Sequence, residues 1–315
     1  MKSMSTHQRL LIFLVFVLAL TIILSPWFAI AADWFAGQVL GMERYRFSRI
    51  FNRTFMISGM VLLFTWRRLL QIGDLVELGF VSLGQGAGDL LRGWCLAVGS
   101  VGALILAMSL AQVFEPYLRL SLSQSLSRCF SALSSGVFAG TLEEIFFRGI
   151  LFKGLLQNGK VRAFVLSNLF YSALHFIRPG EAYFVDGFDP LAGLRHLVYT
   201  FMPFSEPLDL LPGMVGLFLL GIVLSYAFLR TGNLYLSIGL HGGWVFGFQS
   251  MRVFGDFRRD DLGWLFGSTD PKIVSGIATW IGIVSVLLLV HWLTRSRCGL
   301  TRERPARSDA YSPSR

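Results

Sequence analysis

The chain has 315 residues, of which 54% are hydrophobic and 14% aromatic, and its mean hydropathy is +0.59. A soluble domain of this length does not need so much apolar surface for its core, so the composition excludes an ordinary soluble protein. The net charge of +9 does not indicate a nucleic-acid partner, because the arginines stand at the ends of hydrophobic segments and in the C-terminal tail, as in membrane proteins.

Hydrophobic segments along the chain predict an all-α, polytopic integral membrane protein. Crossing the hydrocarbon core takes roughly 20 apolar residues, and by that measure we expect about eight transmembrane helices. The segments are, in order, Leu10–Ala31, Thr54–Trp66, Gly93–Val113, Ser131–Leu156, Val161–Ile177, Leu210–Leu229, Leu234–Ser250 and Ile273–Leu293.

Basic residues between these segments favour one orientation. With the N-terminus in the cytoplasm, eight crossings return the basic C-terminal tail to the same side, as the positive-inside rule requires. The other basic residues that then lie inside are Lys2, Arg9, Arg67, Arg68, Lys153, Lys160, Arg162 and Arg230. Against this stand Arg44, Arg46, Arg49, Arg53, Arg258 and Arg259, which would lie outside. Near the N-terminus, Ala29 and Ala31 after an apolar run also resemble a signal-peptide cleavage site.

Two other patterns carry little functional information. Cys95, Cys129 and Cys298 are odd in number and form no C-x-x-C pair, which indicates neither a disulfide framework nor a cysteine zinc site. The glycine-rich run Gly84–Gly88 follows no strand and departs from a nucleotide-binding motif at Asp89, so we predict a flexible loop there.

Three ionisable residues interrupt the apolar segment Ser131–Leu156: Glu143, Glu144 and Arg148. Charge inside a membrane segment is functional by default. On an α-helix, residues four apart lie nearly one above the other, so Glu144 and Arg148 can pair while Glu143 points to a different face. Glu143, with no cation in its own turn, is the better candidate for a general base. The alternative is a structural ion-pair cluster that ties helices together.

Two histidines interrupt later hydrophobic segments. His175 lies one helical turn after Tyr171 and close to a helix end, where an isolated histidine is often only interfacial. His241 is surrounded by Gly239, Gly242 and Gly243, which would let another backbone or a substrate approach closely; tight helix packing is the alternative.

The motifs Glu-Glu-x-x-x-Arg, aromatic-x-x-x-His and a histidine in a glycine-rich late helix occur here in that order. In this the chain resembles the CPBP family, the CAAX proteases and bacteriocin-processing enzymes, from about Ser131 to Ser250. The resemblance implies a four-helix catalytic core and divides the chain into N-terminal helices (1–127), the core (128–250), a loop with the last helix (251–293) and a basic disordered tail (294–315).

The resemblance also implies an intramembrane endopeptidase in which Glu143 and His175 hold and activate the attacking water, with Glu144 and Arg148 in the same site. His241 would help to stabilise the oxyanion. The family's third motif commonly has Asn four residues after this histidine, but Val245 stands here, which removes a donor worth on the order of 3 kcal/mol. Trp244, Gln249 or backbone N–H groups are the candidate substitutes. The second motif carries Tyr171 where the family usually has Phe.

No cofactor is predicted, and zinc held by Glu143, His175 and His241 is the alternative, since His₂Glu with a water is a known catalytic ligand set. The expected substrate is a membrane-embedded or lipidated peptide or protein, and the expected location is a bacterial inner membrane. The long connection Arg178–Asp209, with a helix predicted over Leu191–Phe201, either caps the cavity or is an ordinary external loop. Alternative functions are a non-catalytic membrane binding or immunity protein and a proton-coupled transporter.

Overall fold

The structure is a computed structural model that describes residues 6–35, 37–38, 45–66, 76–176, 184–205, 207–259, 261–267 and 273–297. Predicted features outside these residues are Lys2, Arg44, Arg67, Arg68, the loop residues 177–183, Cys298 and the tail from residue 298. The helices are α1 (Thr6–Phe35), α2 (Phe47–Thr65), α3 (Leu83–Leu110), α4 (Leu122–Glu144), a π-helical segment (Ile145–Phe152), α5 (Lys153–Leu156), α6 (Lys160–Leu174), α7 (Ala192–Thr200), α8 (Pro207–Thr231), α9 (Tyr235–Met251), α10 (Gly263–Phe266) and α11 (Ile277–Thr294). Short 3₁₀ turns occur at Met202–Ser205 and Ile273–Ser275.

The helical class predicted from the sequence is confirmed, and within the described residues every predicted hydrophobic segment overlaps one or more helices. One departure is a short antiparallel pair of strands, β1 (Phe114–Pro116) and β2 (Gly255–Phe257), which joins the ends of α3 and α9. Four helices in the described part of the chain are long and apolar enough to cross a membrane: Leu11–Phe35, Leu83–Leu110, Pro207–Thr231 and Ile277–Thr294. The protein is therefore an integral membrane protein, and the larger number of about eight crossings stays a prediction.

Helix α9 lies at the centre of the bundle, packed between α3 and α4. Glycines allow this close approach: a Cβ on Gly93 would lie 2.4 Å from the Leu236 carbonyl oxygen, and one on Gly239 would lie 2.1 Å from that of Leu90. On the α4 side, a Cβ on Gly136 would lie 2.5 Å from the carbonyl oxygen of Gly242. Small residues therefore bring the backbones together, as expected between membrane helices. The packing interpretation holds for these glycines, and it places the neighbouring His241 next to α4.

The Gly84–Gly88 prediction was wrong, because this run is helical and forms the first turns of α3. A Cβ on Gly86 would lie 2.4 Å from the ring of Tyr235, so the absence of a side chain here lets α3 pack against α9. Asp89 in the next turn accepts a hydrogen bond from Arg297 at 2.6 Å and one from Asn233 at 3.3 Å. Asp89 thus ties the start of α3 to the end of the described chain through Arg297 and to the α8–α9 connection through Asn233.

The N-terminal helices form a separate layer in which α1 packs on α2 and α7. Helix α7 confirms the helix predicted over Leu191–Phe201. His196 on α7 is fully buried, with its ring 4.5 Å from that of Phe51 and 5.4 Å from that of Phe47. This histidine is therefore part of the packing between α7 and α2.

Candidate active site

The two glutamates lie where the helical geometry changes. Helix α4 ends at Glu144, and residues Ile145–Phe152 continue as a π-helix. The uniform advance of a single α-helix, which the sequence analysis assumed here, is therefore wrong after Glu144. Such wider turns inside α-helices occur frequently at functional sites. Here the π-helical segment carries Arg148 and Gly149, both buried.

The predicted pair of Glu144 and Arg148 forms in spite of this change, with 2.8 Å between Oε1 of Glu144 and Nη1 of Arg148. Both side chains are buried, with exposed fractions of 0% and 1%. The same Oε1 accepts a hydrogen bond from Nδ1 of His241, also at 2.8 Å. Oε1 of Glu144 therefore links Arg148, on the π-helical segment, to His241 on α9.

Arg148 extends this network to two more helices. Its Nη2 donates to the Gly221 carbonyl oxygen on α8 at 3.2 Å and to Oδ1 of Asn168 on α6 at 3.5 Å. The guanidinium also lies 4.7 Å from the ring centroid of Tyr171, a cation–π contact. Because the carboxylate, the carbonyl, the amide and the ring surround the charge, a fully buried arginine is tolerated.

Asn168, Gly221 and Ser225 are the residues of this site that the sequence analysis missed. Oδ1 of Asn168 accepts from Oγ of Ser225 at 3.1 Å as well as from Arg148, and a Cβ on Gly221 would lie 2.6 Å from that oxygen. An amide side chain in the middle of an apolar helix was the one signal that could have identified Asn168. The glycine and the serine gave no such signal.

Glu143 points to a different part of the site from Glu144. Its Oε2 lies 3.7 Å from Nε2 of His175 and 3.8 Å from Nε2 of His241. This oxygen is buried and has no hydrogen-bond partner among the described residues. Polar groups separated by more than 3.5 Å are commonly bridged by water, so this three-sided arrangement suits a single water molecule.

The hydrogen bond made by Nδ1 of each imidazole determines the tautomer of the ring, and so the role of the Nε2 atom that faces Glu143. Nδ1 of His175 lies 2.8 Å from the Tyr171 carbonyl oxygen, which can only accept, so Nδ1 carries the proton. Nδ1 of His241 likewise donates to the carboxylate of Glu144. In a neutral ring, Nε2 of either histidine is therefore an acceptor, and it becomes a donor when the ring is protonated.

The candidate substitutes for the family's asparagine are not equally placed. Nε1 of Trp244 donates to Oγ of Ser100 at 3.0 Å, so this indole is directed towards α3. Gln249 is exposed and lies two helical turns beyond His241. Tyr171 is nearer, because its ring centroid lies 4.4 Å from that of His175 and 6.1 Å from that of His241. The aromatic residue that departs from the family pattern thus lies close to both histidines.

By donor type, Glu143, His175 and His241 match a His₂Glu zinc site. Within the described ranges no group of three His, Cys, Asp or Glu side chains is drawn together tightly enough to hold a metal ion, and zinc at these three residues stays the alternative prediction.

Comparison with known proteins bears on the same part of the chain. Residues 125–247 match the family model described as type II CAAX prenyl endopeptidase Rce1-like. Neither the curated proteins nor the solved structures provide a match. The matched segment contains all five predicted site residues together with Tyr171 and Val245, and the family to which it belongs implies intramembrane protease activity. Residues 125–247 are therefore a domain of the CAAX protease (CPBP) family, embedded in a larger helical membrane protein.

Proposed function

We propose that the protein is a glutamate-dependent intramembrane endopeptidase that hydrolyses a peptide bond with a water molecule activated by Glu143 and His175. The observation that carries the proposal is the position of the Glu143 carboxylate, which faces Nε2 of both histidines at 3.7 and 3.8 Å. A carboxylate with no ion-pair partner in its own turn can accept a proton from water and release it later.

In the proposed reaction, Nε2 of His175 accepts a hydrogen bond from the water and Glu143 removes a proton from it. The resulting hydroxide attacks the carbonyl carbon of the substrate. Protonated His241 donates from Nε2 to the oxyanion, and the carboxylate of Glu144, bound to its Nδ1, stabilises the imidazolium. When the tetrahedral intermediate collapses, Glu143 gives its proton to the nitrogen of the leaving amine.

Glu144 and Arg148 are positioning residues in this proposal. Glu144 orients the His241 ring, and Arg148 balances the charge of Glu144 and anchors it to α6 and α8. A partner that orients a catalytic histidine in this way is a common feature of hydrolytic sites.

The substrate must be locally extended at the scissile bond, because a helix hides its carbonyl groups in its own hydrogen bonds. We propose a membrane-embedded or lipidated peptide or protein as substrate, in a bacterial inner membrane, with the C-terminus of the enzyme in the cytoplasm. The connection 178–209, of which residues 184–205 and 207–209 are described, is proposed to cap the cavity near His175. The proposal involves no nucleic acid and no cofactor.

The direct test is cleavage of membrane peptides by the purified protein in liposomes, with and without a zinc chelator. We expect cleavage that the chelator leaves unchanged and that His175→Ala abolishes. Loss of cleavage with chelator, restored by added zinc, would replace the glutamate mechanism with a zinc mechanism. If the folded wild-type protein binds peptides but cuts none, the non-catalytic binding function, for which Val245 is the supporting residue, would be correct instead.

Tyr171 supplies, on this proposal, the oxyanion donor that Val245 cannot. We expect Tyr171→Phe to lower kcat by about 100-fold with little change in KM, since loss of one oxyanion donor has an effect of about that size. Single-turnover cleavage, which isolates the chemical step, is the appropriate measurement.

Val245→Asn provides the matched test of this role, because it restores the amide common in the family. In the Tyr171→Phe background, Val245→Asn should recover at least about tenfold of the lost rate. If Tyr171→Phe leaves the single-turnover rate unchanged, or if Val245→Asn does nothing in that background, the hydroxyl has no part in the reaction.

A further inference from the structure

A basic cleft of about 540 Å³ lies between α2, α4 and α9, outside the cluster of glutamates and histidines. The polar residues that line it are Arg46 just before α2, Ser48, Arg49, Asn52 and Arg53 from α2, Ser135 from α4 and Gln249 from α9. We call it the arginine cleft. Three cations and four neutral hydrogen-bonding side chains around one space form a suitable site for a carboxylate or another small anion.

Within the part of the chain that the structure describes, the three arginines of the cleft have no carboxylate partner. Arg46, Arg49 and Arg53 are exposed, and no carboxylate within the described residues pairs with them. Arg49 and Arg53 are one helical turn apart and share a face of α2. The guanidinium of Arg49 makes only a loose contact with the ring of Tyr45, at 5.9 Å. Unpaired arginines converging on a cleft therefore leave an anion to be supplied by a ligand.

The cleft is aligned with the catalytic cluster along two helices. Gly136 and Gly140 of α4 face Gly242 and Ile238 of α9, so the two helices run antiparallel. Ser135 precedes Glu143 by about two turns, and Gln249 follows His241 by about two turns, which corresponds to ~12 Å in each helix. The arginine cleft thus lies towards the start of α4 and the end of α9, which are side by side, about 12 Å along the helices from the reacting groups.

Small and apolar residues lie between the arginine cleft and the catalytic residues. Ala139 is one turn from both Ser135 and Glu143, and Val245 is one turn from both His241 and Gln249; both are half-buried. These two positions carry no charge and no long side chain that would block an extended chain. An extended peptide advances roughly 3.3–3.6 Å per residue, so ~12 Å corresponds to three or four residues.

We propose that the arginine cleft binds an anionic group of the peptide substrate, a side-chain or terminal carboxylate, three or four residues from the scissile bond. The inference rests on the proposed protease function and names a specificity determinant for it. The determinant lies on α2, outside the segment 125–247 that matches the family. The cleft shares α4 and α9 with the catalytic residues, and this favours a substrate over a lipid headgroup.

The test uses amidated peptides in liposomes with Asp placed at each position up to six residues from the cleavage site, on either side, and Asn at the same position as reference. For the wild type we expect Asp three or four residues away, on one side only, to raise kcat/KM about tenfold over Asn, since a hydrogen bond to a charged group has an effect of at least that order. Arg49→Gln with Arg53→Gln should remove the advantage and leave cleavage of the Asn peptides unchanged. Arg162 is an exposed arginine on α6, and Arg162→Gln is the matched control. This variant should keep the advantage of the Asp peptides over the Asn peptides.

Equilibrium binding separates this inference from the proposed function. The same Asp and Asn peptides are titrated against protein carrying Glu143→Gln, and the ratio of their Kd values should again depend on Arg49 and Arg53. No positional preference, or a preference that survives the loss of both arginines, overturns the inference even if cleavage requires Glu143. A loss that affects Asp and Asn peptides equally, and only in vesicles with anionic lipid, would show that the cleft binds lipid and would also overturn it.

Discussion

Glu143→Gln should lower kcat/KM for peptide cleavage by about 1,000-fold while leaving the fold intact, since the loss of a general acid–base group has an effect in this range. Glutamine keeps the size of the side chain but cannot take a proton from water. Stability should hardly change, because Oε2 of Glu143 makes no hydrogen bond within the described residues and the side chain is one-third exposed. Cleavage kinetics in liposomes and thermal unfolding in detergent are the two measurements.

Glu115→Gln is the control for this substitution. Glu115 is an exposed carboxylate on β1, paired with Arg258, at the other end of the bundle from the π-helical segment. The Glu115→Gln substitution should leave kcat/KM within about twofold of the wild type, since surface ion pairs contribute little to stability. A Glu143→Gln protein that keeps a tenth of the wild-type activity would eliminate Glu143 as the general base.

Arg148→Met should have the largest effect on stability, with a loss of about 3–5 kcal/mol in the free energy of unfolding. The substitution leaves the carboxylate of Glu144 buried with only His241 as partner, and an uncompensated buried charge is far more costly than the loss of a pair. It also removes the contacts of the guanidinium with α6 and α8. Unfolding monitored by denaturant titration in mixed micelles would give the change in free energy.

The double substitution Glu144→Leu with Arg148→Met tests whether the buried charge of Glu144 causes the loss of stability. Because it removes both charges together, it should recover a large part of the stability lost in Arg148→Met. Activity should not recover, since His241 loses the carboxylate that orients it. Arg195→Met, which breaks an ion pair with Asp189 on a side chain that is 58% exposed, should cost less than about 1 kcal/mol. A double variant no more stable than Arg148→Met would refute the buried-charge explanation.

The distribution of apolar and charged residues was sufficient to predict the helices. Long apolar runs have few alternatives to helix in a membrane, because every backbone group must find a partner within its own segment. The spacing of Glu144 and Arg148 also predicted their pair, which forms although the residues after Glu144 are π-helical and not α-helical as the spacing argument assumed. The order of the three motifs predicted the family of residues 125–247.

Other features depended on contacts between segments far apart in the sequence. Hydrophobic periodicity gave no sign of the π-helical turn after Glu144, because a wider turn is selected by what the side chains meet across the bundle. Glycines predicted a loop at Gly84–Gly88, yet the run is helical, and one of its glycines, Gly86, permits α3 to approach Tyr235 of α9. Packing overrides the weak intrinsic preference of these glycines.

The sequence by itself determined that this is a helical membrane protein in which residues 125–247 resemble the CAAX proteases, and it named the five ionisable residues of the candidate site. Only the tertiary structure showed which groups from other helices meet the two glutamates: Nδ1 of His241 binds Glu144, and Nε2 of His175 and of His241 both face Glu143. It also showed that Trp244 is directed away from the site and that Asn168 supports it. The physical reason is that the chemical roles of buried charges depend on which partners surround them, and those partners come from helices that are distant in the sequence.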